Sequence, residues 1–165
     1  MKRKLLTLVI IALLTLAALT GCGKETVSAT NHERPVFNLC ASLSHNDGQA
    51  YLNCFMPSAK KAYLSSQEGA GKEGVAARVR ENSKLGDGDN ISCEVIGKTE
   101  LTDEALTKLQ REYKKNYSKN DKIEKAFQLT VTFEGPKSSV VKKLTVVMID
   151  ESWYIYGDVI EGFEF

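Results

Sequence analysis

An α+β fold, with N-terminal helices packed on one face of a curved antiparallel sheet that ends in a β-meander, is predicted by two features of the sequence. Apolar residues recur at helical spacing from Pro35 to Leu85, and from Ile91 onward the dominant period becomes two. The last three apolar runs are joined by short Gly-, Pro-, Asp- and Ser-containing turns, and helices followed by hairpin-linked strands are the pattern of an α+β domain.

In order, Val36, Phe37, Leu39, Cys40 and Leu43 form the first stripe, with Pro35 in a position suited to a first helical turn. Asn46-Asp47-Gly48 interrupts it. Tyr51, Leu52 and Phe55 predict a second short helix that stops before Pro57, and Ser58 is expected to cap a third containing Tyr63 and Leu64. After the loop 69–74, Val75, Ala76, Val79 and Leu85 predict a fourth helix, ended by 86–90.

Ile91, Cys93 and Val95 alternate with Ser92, Glu94 and Ile96, which predicts a strand ending before Gly97. A helix follows over 102–117, with Thr102 as cap, Leu101 and Leu106 at staple positions, and Ala105, Leu106, Leu109, Tyr113 and Tyr117 as its apolar face. Phe127, Leu129, Val131 and Phe133 alternate strictly with Gln128, Thr130, Thr132 and Glu134, the pattern of a half-buried strand. A long strand over 140–149, with Leu144, Val146 and Met148 on one face, and a short one over 153–156 complete the meander. Trp153 is expected at the core or its rim, where truncation to Ala costs about 3–5 kcal/mol.

The 21 residues before Cys22 follow a different logic. Lys2, Arg3 and Lys4 precede an unbroken weakly polar run from Leu5 to Leu19, the order of a secretory signal. That run is shorter than the roughly 20 residues a helix needs to cross the hydrocarbon core. Leu19-Thr20-Gly21-Cys22 then resembles the lipobox of bacterial lipoprotein signals. The resemblance implies alkylation of the Cys22 thiol by diacylglycerol, cleavage between Gly21 and Cys22, and N-acylation of the new terminus. Two or three acyl chains exceed the single chain that binds membranes only marginally, so the mature chain is expected to be lipid-anchored on the extracytoplasmic side of the cell membrane.

Three segments result: a signal peptide over 1–21, a small, polar, flexible tether over 22–34, and a single domain over 35–165, expected to be monomeric. Loss of Lys2, Arg3 and Lys4 with the leader moves the formal charge from +1 to −2. Lysines are spread among glutamates, and neither a basic groove for nucleic acid nor a strongly acidic tail is present. Of the remaining Cys40, Cys54 and Cys93, an odd set, Cys40 and Cys54 lie on neighbouring helices and are candidates for pairing, with buried, unpaired thiols as the alternative.

Helices followed by strands, together with Asn46-Asp47-Gly48 through Tyr51-Leu52-Asn53-Cys54-Phe55 and the ending Ile149-Asp150-Glu151-Ser152-Trp153-Tyr154-Ile155, resemble the nuclear transport factor two-like, cystatin-like α+β superfamily. Within that superfamily the chain resembles the branch of small lipoproteins from Gram-positive bacteria. The resemblance covers most of 35–160 and implies a cone-like domain. The helix at 102–117 departs from the simplest version of that fold. Enzymes of the superfamily place Asp, His or Arg on inward-facing strand positions, whereas these strands carry Thr, Gln and Tyr.

No chemical motif is complete. Gly69-Ala70-Gly71-Lys72 lacks the early glycine of a phosphate loop, where Ser66 stands, and its Ser or Thr, where Glu73 stands. In Asp87-Gly88-Asp89-Asn90 the fifth and twelfth calcium-loop positions are Ile91 and Lys98. His32 falls in the tether and His45 at a helix end, where a triad with Asp47 and Cys40 competes with simple helix-terminal placement. Cysteine and histidine spacings match no zinc site, and no cofactor is implied. Gln128, Thr130, Thr132, Tyr154 and Tyr156 are the candidate binding face, with the ordinary solvent side of a sheet as the competing reading. The expected function is a non-catalytic, membrane-anchored module that binds a small ligand or an envelope protein, with a cyclase- or isomerase-like cone as the alternative.

Overall fold

The computed structural model describes residues 31–66, 75, 78, 85 and 90–159. Helices α1 (Arg34–Ser44), α2 (Gly48–Asn53) and α3 (Pro57–Ser66) come first. Strand β1 (Ser92–Glu100), helix α4 (Asp103–Tyr117) and strands β2 (Lys125–Glu134), β3 (Ser139–Ile149) and β4 (Ser152–Ile155) follow. The strands form one antiparallel sheet in the order β1-β2-β3-β4. The chain is therefore α+β. Among the described residues no helix is long and apolar enough to cross a membrane. Cys22, the signal segment and most of the expected helix from Val75 to Leu85 lie outside the described residues. Within that stretch Val75 and Arg78 are helical, and Val75 and Leu85 are buried.

Local chemistry sets the helix ends. Pro35 occupies the first turn of α1, where its missing N–H costs nothing. Asn46, at φ 54°, turns the chain, and Asp47 caps α2 by accepting from the Ala50 N–H at 2.9 Å. Thr102 caps α4 through Ala105 N–H, and Ser118 ends it in the left-handed conformation. Ser58 lies inside α3, not at its cap, because the helix begins at Pro57.

The alternation of β2 separates two apolar clusters. Leu129, Val131 and Phe133 meet Leu144, Val146 and Ile155 on one face, beneath Val36, Leu39, Cys40 and Leu43 of α1 and Tyr51 and Leu52 of α2. Burying each such side chain stabilises by about 1.5–3 kcal/mol. On the opposite face Ala126, Val147 and Ile149 pack with Tyr113 of α4, flanked by Leu106, Leu109 and Tyr117. Helices thus cover both faces, where packing on one face was expected. An apolar stripe identifies the side of α4 to be buried, but says nothing about which surface receives it.

α3 stands at the β4 edge and serves both clusters, Tyr63 in the first and Ala59 in the second. Just before it, Cys54 to Met56 runs beside β4: Ile155 N–H donates to the Cys54 carbonyl at 2.8 Å and Met56 N–H to the Ile155 carbonyl at 3.3 Å. This pairing covers backbone groups that an edge strand would otherwise expose.

β1 continues past Gly97, where the sequence pattern stops. The register shifts between Val95 and Gly97, so an extra residue enters the strand and Ile96 stands 55% exposed. Beyond the bulge, Lys98 pairs with Leu129 and Glu100 with Phe127. Polar residues on this edge had hidden its length.

Candidate functional site

By register, Gln128, Thr130, Thr132 and Tyr154 belong to one face of the sheet, and Tyr156, whose N–H donates to the Thr145 carbonyl at 2.8 Å, extends it. The five nevertheless divide into two environments. Tyr154 and Tyr156 pack against the cluster under α4. Gln128 is exposed, and Thr130 and Thr132 are half-buried beside Val141, which is 57% exposed. The expected continuous strip is therefore interrupted by α4, leaving an open part of threonines with Ile96 and Val141 standing out.

The phenols beneath α4 are fixed as neutral groups. Tyr113 donates to Asp121 Oδ2 at 2.9 Å and Tyr117 to Asp158 Oδ1 at 2.8 Å, while the Tyr156 hydroxyl is buried without a hydrogen-bond partner. Burial first, and neighbouring carboxylates next, push the Tyr117 and Tyr156 phenols above their ordinary value; burial likewise raises Tyr113. None is suited to act as a base near neutral pH.

The inner face of the sheet is packed solid. Val36, Leu39, Tyr51, Leu52, Leu129, Val131, Phe133 and Val146 have no solvent exposure. Among the described residues the buried polar or charged side chains are Glu33, Ser42 and Ser58. Glu33 faces Lys98 Nζ at 3.4 Å and Ser42 Oγ donates to the Leu39 carbonyl at 2.7 Å. Among these residues Glu33 is the one buried Asp, Glu, His, Lys or Arg side chain, and no group of three or more His, Cys, Asp or Glu is placed to hold a metal ion.

The candidate triad comes apart in the same way. His45 Nδ1 lies 2.8 Å from the Ala41 carbonyl, which assigns the proton to Nδ1. Asp47 is the α2 cap, and Cys40 is buried with its thiol 3.4 Å from the Ile91 carbonyl. Cys54 does not meet Cys40 either: its thiol donates to the Ala50 carbonyl within its own helical turn at 3.3 Å, and burial pushes its pKa up to about 12.

No family model, curated protein or solved structure matches the chain.

What sequence patterns did not reveal is a polar groove on the helical side. Two open depressions, of about 360 and 470 Å³, adjoin along Asn38, Asn53 and Cys54. The first runs to His45 and Asp47; the second runs to Arg34, Glu151 and Trp153. Asn38 and Asn53 are both exposed. The Asn53 side-chain carbonyl already accepts from Gln49 at 2.9 Å and Lys60 at 2.6 Å, so its amide N–H groups are what it offers to a ligand.

One end of the groove is held by an aromatic stack. His32 lies on Phe127 at 4.2 Å and meets Trp153 edge-on at 5.6 Å, and Phe127 and Trp153 are 5.7 Å apart. The tether is expected to include His32, yet the imidazole is packed on the sheet, with Glu33 buried beside it. A single histidine in a polar stretch carries no periodic signal that would have placed it there.

Proposed function

We propose that the chain is an extracytoplasmic lipoprotein, anchored through acyl chains on Cys22, whose domain binds rather than transforms its ligand. The anchor rests on Leu19-Thr20-Gly21-Cys22 behind a charged and apolar leader. The non-catalytic reading is carried by one observation: the inner face of the sheet is filled by helix side chains, and among the described residues Glu33, paired with Lys98, is the one buried Asp, Glu, His, Lys or Arg. Acid–base chemistry calls for a titratable group held at a suitable pKa within reach of the substrate.

The ligand surface in this reading is the groove from His45 to Trp153. Asn38 and Asn53 supply amide donors and acceptors, Arg34 and Glu151 opposite charges, and Trp153 an apolar wall. A polar ligand or an envelope-protein segment suits that mixture; nucleic acid does not, since the domain is near neutral and its lysines are spread among glutamates along the chain.

The domain is read as a monomeric, cone-like member of the nuclear transport factor two-like superfamily. Support comes from α1 and α2 against one face and from sequential antiparallel strands. α4 on the opposite face is its departure from the simple cone.

Photo-cross-linking residues placed at Asn38 or Asn53 of the full chain in intact cells test the groove, with Thr132 and Val141 as comparison positions. The reading expects adducts from the first pair. Adducts confined to the second pair would transfer the binding role to the open sheet face, and adducts from neither would remove it.

A further inference from the structure

Cys40 of α1 and Cys93 of β1 lie on opposite sides of the same seam. The Cys40 thiol points at the carbonyl of Ile91, two residues before Cys93 on the same side of the strand, at 3.4 Å. The Cys93 thiol points at the carbonyl of Val36, one helical turn before Cys40, at 3.9 Å. Each sulfur therefore reaches across to backbone immediately beside the other. Both are free thiols.

We propose that Cys40 and Cys93 form a redox pair whose disulfide fastens the first helix to the edge strand of the sheet. The pairing is read from this seam alone and does not depend on the binding role of the groove. The two thiols are unlike. Cys93 is half-exposed, and Cys40 is 5% exposed. The neighbouring Cys93 and burial hold the Cys40 thiol, whose S–H is directed to the Ile91 carbonyl, above its ordinary value, while Cys93 is the thiol that a small disulfide can reach.

This asymmetry orders the chemistry. The oxidant is a small exogenous disulfide. The Cys93 thiolate attacks one of its sulfurs, forming a mixed disulfide and releasing one thiolate, which takes up the proton lost by Cys93. The Cys40 thiol then loses its proton and attacks the Cys93 sulfur, forming the internal bond and expelling the second small thiol. Two protein thiols are oxidised and one small disulfide is reduced to two thiols.

Oxidised glutathione added to the folded full chain carrying Cys22→Ser, followed by alkylation and peptide mapping, tests the pair. The expected product is lighter by two hydrogens, links Cys40 to Cys93, leaves Cys54 open to alkylation after unfolding, and melts at a higher temperature than the reduced chain. Cys40→Ala should retain glutathione on Cys93 as a lasting mixed disulfide. Cys93→Ser should form neither an internal bridge nor an adduct at buried Cys40, and should lose the oxidation-dependent rise in melting temperature. A bridge to Cys54, a stable glutathione adduct on Cys93 while Cys40 is present, or no oxidation of either residue would overturn the proposal.

Discussion

The imidazole of His32 lies flat on the ring of Phe127, with centroids 4.2 Å apart and planes within 9°. This contact joins the residue before Glu33 and α1 to the middle strands of the sheet, and burial together with the Lys98 ammonium holds the imidazole below its ordinary value of 6.5 against the pull of Glu33 and Glu100. With a folded-state pKa below the unfolded one, the unfolded chain binds more protons in the interval between them. The contribution of the neutral stack is then complete above pH 6.5, falls as pH drops through 6.5 towards the folded value, and levels off below it. Urea midpoints measured at several pH values should show a shallower acid-side loss in His32→Ala than in the parent. Identical slopes would exclude His32 as the titrating group.

Trp153 touches both His32 and Phe127 but remains half-buried at the rim of the first cluster. Full burial of a large aromatic would make its truncation cost about 3–5 kcal/mol; partial burial lowers the expectation for Trp153→Ala to about 2 kcal/mol. Phe133, which has no exposed surface, should cost the full range in Phe133→Ala. Chemical denaturation of the two variants checks the ranking, and a larger loss at Trp153 would contradict it.

The β3–β4 hairpin has two central residues, Asp150 and Glu151, between the paired Ile149 and Ser152. Their φ values are 49° and 61°, the mirror-image turn that suits the twist of two strands and favours glycine at its second position. Glu151→Gly should therefore stabilise the domain by about 0.5–1 kcal/mol. A rise in melting temperature is the expected readout, and a fall would show that the Glu151 side chain contributes more than its backbone strain removes.

Two tyrosines beneath α4 should respond oppositely to loss of the hydroxyl. Tyr113→Phe breaks the bond to Asp121 and should cost about 1 kcal/mol, whereas Tyr156→Phe removes a buried hydroxyl with no partner and should be neutral or stabilising. Equal losses in both variants, measured by denaturation, would contradict the environment described for Tyr156.

The strictly alternating run from Phe127 to Phe133 and the Thr102 cap were legible because each is a local signal of side-chain period or hydrogen bonding. The second half of β1 was not, since a bulged residue at the Val95–Gly97 step resets the alternation and the edge positions Lys98 and Glu100 remain polar. Nor could sequence separation pair Cys40 with Cys93 rather than Cys54, because that choice depends on which helix face meets the sheet. The groove was hidden for a related reason. Asn38 and Asn53 become neighbours of one cleft only through the packing of α1 on α2, and neither carries a motif.

An extracytoplasmic lipid anchor is the claim from which the cellular reading follows, and the mass of the mature chain extracted from the native membrane tests it most directly. The expected species is a polypeptide beginning at Cys22 and carrying diacylglycerol, with the 21 preceding residues absent. A mature chain that starts at another residue, or that begins at Cys22 without lipid, would contradict it.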